Sequence, residues 1–197
     1  MSYGRATMTG RLRSPAAALG VGACVGLIVA GGGARGAMRL IALADDREDF
    51  GLSTEGGDII GEVTLEGTLF VLLAGLVLGI AGSFLYLGLR RWLPERPLFR
   101  ALCFALITLG FGLAAAINGN EGDFVFVNTA ASIGTFACVL LVYGVLVPTL
   151  LDRLAPRTAS GSRWGRGLVG VVLVLSVVSG AIAVKRAFDI ADGALLG

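Results

Sequence analysis

The chain has 197 residues, of which 55% are hydrophobic and only 15% charged, and its mean hydropathy is +0.84. A soluble domain carries about 25% charged residues, so an ordinary soluble globular protein is excluded. The net charge of +2 says little, because the charges sit in short clusters between long apolar runs, the pattern of a membrane protein whose two faces differ in sign.

Five runs are long enough to cross a bilayer as helices, at about 20 apolar residues each. The first covers 15–34 without a charge and continues outward, amphipathic, to about residue 44. The second covers 67–89, the third, a short one, 101–117, the fourth 128–151 and the fifth 167–184. A bilayer core offers no water to backbone groups, and runs this continuously apolar are helices rather than barrel strands. The expected fold is therefore all-α: one membrane domain over 1–197, an integral bundle of five transmembrane helices with an acidic loop at 45–66. A competing reading takes Arg11, Arg13, the apolar run and the small residues 31–34 as a secretory signal peptide, which would leave four spans.

Arginine sets the expected direction. Arg5, Arg11 and Arg13, then Arg90, Arg91, Arg96 and Arg100, then Arg153, Arg157, Arg163 and Arg166 fall on one side, with Glu95 and Asp152 the acids among them. The other twelve acids fall opposite. The N-terminus is thus expected in the cytoplasm and the C-terminus outside, with Lys185 and Arg186 dissenting. Trp92 and Trp164 stand beside the arginine loops, at the interface that indoles favour. Pro94, Pro97 and Pro156 are expected to end helices there, and Pro148 to kink the fourth.

Thirty-one glycines fit a bilayer, where small residues let helices approach closely. Ala18, Gly22, Gly26, Ala30 and Ala34 recur every fourth residue and form one stripe on the first helix. Gly75, Gly79 and Ser83 do the same on the second. The two stripes are expected to pack together; the alternative is a homodimer interface. A weak internal repeat relates Gly67-Thr68-Leu69-Phe70 and the exit Leu89-Arg90-Arg91-Trp92-Leu93-Pro94 to Gly134-Thr135-Phe136 and the exit Leu151-Asp152-Arg153-Leu154-Ala155-Pro156. Helices two–three and four–five would then be duplicated hairpins.

Catalytic motifs are missing. Histidine is absent, which removes the commonest general base and metal ligand. Cys24, Cys103 and Cys138 lie singly in apolar runs, without metal or redox spacing. No H-E-x-x-H, G-x-S-x-G or G-x-x-x-x-G-K-[ST] occurs. No catalytic residue, metal site or cofactor is expected. Arg35 and Arg39 share a helix face and are cheapest at the outer interface, paired with Glu62, Glu66, Glu121 or Asp123; the sharper reading is an anion or headgroup site. Asn118 and Asn120 add oxygen ligands beside Glu121 and Asp123, but the spacing is not that of an EF-hand.

The segments Gly33-Ala34-Arg35-Gly36-Ala37-Met38-Arg39, Leu65-Glu66-Gly67-Thr68-Leu69-Phe70 and Asn118 through Phe124 resemble a family of uncharacterised small multi-pass membrane proteins of bacteria. The resemblance implies an inner-membrane topology and no activity. Arginine in place of lysine, with abundant alanine, glycine and valine, also points to a GC-rich bacterial genome. The expected function is a non-enzymatic membrane component or accessory subunit, whose partners are the lipid bilayer, a second copy or a membrane protein, and not nucleic acid. The alternative is a small transporter or channel working as an oligomer.

Overall fold

The computed structural model describes residues 5–44, 64–120, 128–156 and 162–195, all helical apart from the connecting turns. The first helix is unbroken and consists of α1 (Arg5–Val25), a π-helical segment (Gly26–Gly32) and α2 (Gly33–Ala44). Four more follow: α3 (Leu65–Leu89), α4 (Pro97–Asn118), α5 (Thr129–Leu154) and α6 (Arg163–Leu195). Five stretches are long and apolar enough to cross a membrane, Ser14–Leu43, Leu65–Leu89, Pro97–Asn118, Thr129–Leu154 and Trp164–Gly193. The chain is an all-α bundle of the multi-pass membrane type.

The helices outrun their apolar cores, and local chemistry explains where they stop. Thr64 caps α3, its Oγ1 accepting from the Gly67 N–H at 3.2 Å, so the helix opens two residues before the apolar run and takes Glu66 into its first turn. Asn128 caps α5 in the same way through the Ala131 N–H at 3.0 Å. Pro97 starts α4 instead of ending a helix, since its missing N–H is one of those a helix start leaves idle. That start places Arg100 inside α4 rather than in the preceding loop. Pro148 lies inside α5, fully buried. At 33 residues, α6 is about 50 Å long, well beyond the roughly 30 Å hydrocarbon layer.

The helices form a row of neighbours. α3 packs on α1 and the π segment; the first helix packs on α5; α5 packs on α4; α4 packs on α6. Consecutive helices α3 and α4, or α5 and α6, share little surface, so neither member of the proposed repeat is a close-packed hairpin. Arg90 reaches both Ser14 and Ala155, and Trp92 fills the space beside Gly165. One end of the bundle therefore gathers the start of the first spanning helix, the end of α3, the start of α4, the end of α5 and the start of α6, as alternating spans require.

The contact between the first helix and α3 is made by backbone against backbone. A Cβ on Gly22 would stand 2.7 Å from Ile80 Cα and 2.8 Å from Gly79 O. One on Gly26 would stand 2.5 Å from Gly75 O and 2.8 Å from Gly79 Cα. On α3 the contacts descend in steps of four, Ser83, Gly79 and Gly75, and then reach Leu72 and Val71. On the first helix they do not continue to Ala30. They pass to Gly31, where a Cβ would stand 2.9 Å from Leu72 Cα.

The π segment makes this possible. The Gly33 N–H is directed at the carbonyls of Ile28, Val29 and Ala30, and the wider turn absorbs one extra residue. A continuous α-helix would bring Ala30, with a methyl group, to a contact that glycine fits without displacing α3. The stripe Ala18, Gly22, Gly26, Ala30, Ala34 therefore holds to Gly26 and then shifts by one. The same kind of contact recurs at places the stripes did not include: Gly110 against the Ser176 backbone, Gly180 with a Cβ position 2.9 Å from Gly110 Cα, and Gly144 against Ala105 and Thr108.

Gly79→Ala is expected to destabilise the detergent-solubilised protein by about 1–3 kcal/mol, the range for overpacking a closed contact. Gly20→Ala, on a face with nothing within 4 Å, should fall within about 0.5 kcal/mol of the parent. Thermal unfolding followed by circular dichroism checks both, and equal melting of the two variants would contradict the seam.

Candidate functional site

The most organised polar cluster lies at the end of the bundle where Arg90 meets Ser14. It is built by three helix termini. Tyr86 sits in the last turn of α3, Arg100 in the first turn of α4 and Asp152 in the last turn of α5. Arg100 is only 6% exposed. Its Nε donates to Asp152 Oδ2 at 2.8 Å, and Nη2 meets the same oxygen at 2.6 Å. Its Nη1 donates to the carbonyls of Pro94 and Glu95, each at 3.2 Å. The Tyr86 hydroxyl donates to Asp152 Oδ1 at 2.8 Å. Beside it, Arg90 Nη1 donates to Ala155 O at 2.6 Å and ties α3 to the end of α5.

The wall behind this cluster is apolar. The rings of Tyr86 and Phe104 meet edge to face, 5.1 Å between centroids at 67°, and both are fully buried with Leu93 beside them. Neither charge suits its own helix. An N-terminus favours anions and a C-terminus favours cations, yet Arg100 stands at an N-terminus and Asp152 near a C-terminus. Each is made tolerable by the other. Sequence reading counted both as loop charges, because apolar runs define the spans and both charges lie at their margins. The available signal was Pro97 at a helix start, which carries Arg100 into the first turn.

Polar side chains deeper in the bundle are spent on backbone carbonyls. The Tyr143 hydroxyl donates to Gly79 O at 2.8 Å, with Gly82 leaving room for its ring. Thr108 donates to Ala105 O at 2.9 Å, and Ser176 to Leu173 O at 3.0 Å. Ser83 is the exception: it is buried under Gly22 with no carbonyl accepting from its Oγ, which lies 2.9 Å from where a Cβ on that glycine would stand. Cys24 and Cys138 are exposed on the lateral surface and Cys103 is half-buried.

At the other end, Arg35 is half-buried and Arg39 exposed on α2, and both are engaged in interactions. Glu66 is exposed in the first turn of α3. Glu62, Glu121 and Asp123 lie outside the described residues. Asn118 accepts from Arg186 Nη1 of α6 at 3.4 Å, and Asn120 Nδ2 donates to Ala116 O at 2.7 Å. These two side chains thus serve the ends of α4 and α6. Between α2 and α5 runs an open apolar groove of about 400 Å³, lined by Gly33, Gly36, Ala37 and Leu40 on one side and Gly134, Thr135, Cys138 and Val139 on the other.

Fold and polar clusters together define a helical multi-pass membrane protein with its described interior polar groups largely turned onto its own backbone. Compared with family models, curated proteins and solved structures, the chain matches none.

Removing one partner of a buried pair leaves the other uncompensated, at a cost of about 3–5 kcal/mol. Arg100→Ala should therefore destabilise far more than Arg153→Ala, which removes an exposed charge from the same end. Tyr86→Phe should cost less, about 1.5–3 kcal/mol, one hydrogen bond to a charged group. Unfolding of the three variants in detergent gives the ranking, and an Arg100→Ala protein as stable as Arg153→Ala would contradict the cluster.

Proposed function

We propose that the chain is a non-enzymatic component of the bacterial inner membrane, with its N-terminus in the cytoplasm and its C-terminus outside, acting through the surfaces it offers to lipid and to a membrane partner. The observation that carries this reading is the closed helix seams among the described residues. Helix contacts at Gly22, Gly26, Gly31, Gly75 and Gly79, and again at Gly110 and Gly180, leave no space between backbones. The buried Arg100–Asp152 pair has its hydrogen-bonding atoms occupied by protein. Substrate pathways through a membrane instead need ionisable or polar groups facing a water-filled cavity or a broken helix.

The orientation rests on the arginine-rich end. Arg90, Arg91, Arg96, Arg100 and Arg153 gather there, and Arg91 lies over the Trp92 ring at 4.0 Å from its centroid, an arrangement suited to the cytoplasmic interface.

Two measurements test the proposal. Reporter fusions at Gly197 and in the turn near Pro94 should report opposite sides of the membrane; matching sides, or a mature protein beginning near Arg35, would overturn the topology. Protein reconstituted in liposomes should pass ions and small solutes no faster than empty vesicles, while gentle solubilisation of native membranes should yield a stoichiometric membrane partner. Specific flux would replace the component reading with that of a transporter.

A further inference from the structure

We propose that the first helix is a two-register device, in which the π segment can be given up and the outer half turned so that Arg35 and Arg39 enter the groove between α2 and α5. The starting point is the mismatch already described. The contacts on α3 step regularly by four, whereas those on the first helix pass from Gly26 to Gly31. π-Helical turns are rare and cluster at functional sites. Here the turn holds a single extra residue between Gly26 and Gly32.

Converting the segment to an α-helix moves every later residue into the place now held by its successor, a rotation of about 100°. Ala30 then faces Leu72 in place of Gly31. Ala34 faces where Arg35 now stands, and Met38 where Arg39 stands. The sequence is already suited to that alternative, since Gly22, Gly26, Ala30 and Ala34 form an unbroken small-residue stripe. The two registers are thus served by overlapping sets of small residues. The methyl group of Ala30 requires α3 to move outward slightly, so the present register is the tighter one.

The consequence falls on the groove. Its α2 wall is made by Gly33, Gly36, Ala37 and Leu40. After the step, Arg35 occupies the place of Gly36 and Arg39 the place of Leu40. An apolar groove against Gly134, Thr135 and Cys138 becomes one with two guanidinium groups. A minor state of this kind is typically populated at about 0.1–10%.

Two opposite variants isolate the step. Deleting Ile28, which is 69% exposed on the lateral face, removes the extra residue and fixes the present facing in α-helical form. Gly31→Ala removes the advantage of the present register, because its Cβ would meet Leu72 Cα as that of Ala30 does after the step; in the alternate register residue 31 takes the place of Gly32, whose nearest neighbour is Leu27 O at 3.6 Å. In a Cys24→Ala, Cys103→Ala background, Arg35→Cys is paired with native Cys138, and a short bifunctional thiol reagent is applied to protein in liposomes. The parent should crosslink slowly, and deletion of Ile28 should abolish crosslinking. Gly31→Ala should speed it by at least about tenfold, since the methyl contact at Leu72 that disfavours only the alternate register in the parent is then carried by both. Size-exclusion profiles establish that each variant is folded. Equal rates with and without Ile28, or no crosslink in folded parent and folded Gly31→Ala protein, would overturn the proposal. Should either lock variant fail to fold, the other compared with the parent decides, since equal rates there also refute the step.

Discussion

Helices inside a bilayer gain nothing by leaving lipid for one another on hydrophobic grounds, because acyl chains are as apolar as leucine. What holds them is close packing, and packing is closest where side chains are absent. The contact of Gly22, Gly26 and Gly31 with α3 is of this kind, and much of the structure follows from it. It places α3 beside the first helix instead of beside α4, its neighbour in sequence. It fixes the height at which Tyr143 finds the Gly79 carbonyl. It also favours the π segment, since no α-helical continuation presents a glycine at the level of Leu72. A departure from regular helix is here the result of a regular demand made by the facing helix.

The ends of the helices obey a different rule. Arg100 and Asp152 each sit at the wrong pole of a helix dipole, and together they make one neutral, hydrogen-bonded unit that joins α3, α4 and α5. Because the pair lies at the margin of the spans rather than at mid-membrane, its desolvation is partial, and the Tyr86 hydroxyl and two turn carbonyls supply the remaining partners. Glycine contacts bring the helices to within backbone distance, and this cluster sets how they are aligned at one end.

Much of the fold was legible in the sequence, because apolar runs and charge clusters report directly on what a bilayer tolerates. The five spans and the glycine stripe up to Gly26 came from that logic. The shift to Gly31 was not legible, since it depends on the spacing of backbone atoms in α3, and a four-residue period on one helix says nothing of the register demanded by another. Gly110, Ser176 and Gly180 were missed for a simpler reason. Ser176 and Gly180 stand four apart, as do Gly110 and Ala114, and the stripe test would have found them on α4 and α6 as it did on the first two spans. Arg100 and Asp152 were hidden by the assumption that a charge beside a span belongs to a loop. The expected partners of Arg35 and Arg39 included Glu62, Glu121 and Asp123, which lie outside the described residues.

The position of α6 has a consequence for biogenesis. It leans almost entirely on α4, through Gly110, Ser176, Gly180 and the small cluster of Ala114, Ile117, Ala183 and Ala187, and shares little with the other helices. The contacts that close the rest of the bundle are complete once α5 has entered the membrane. During synthesis α4 must therefore wait with its Gly110 flank against lipid until α6 is released from the insertion machinery.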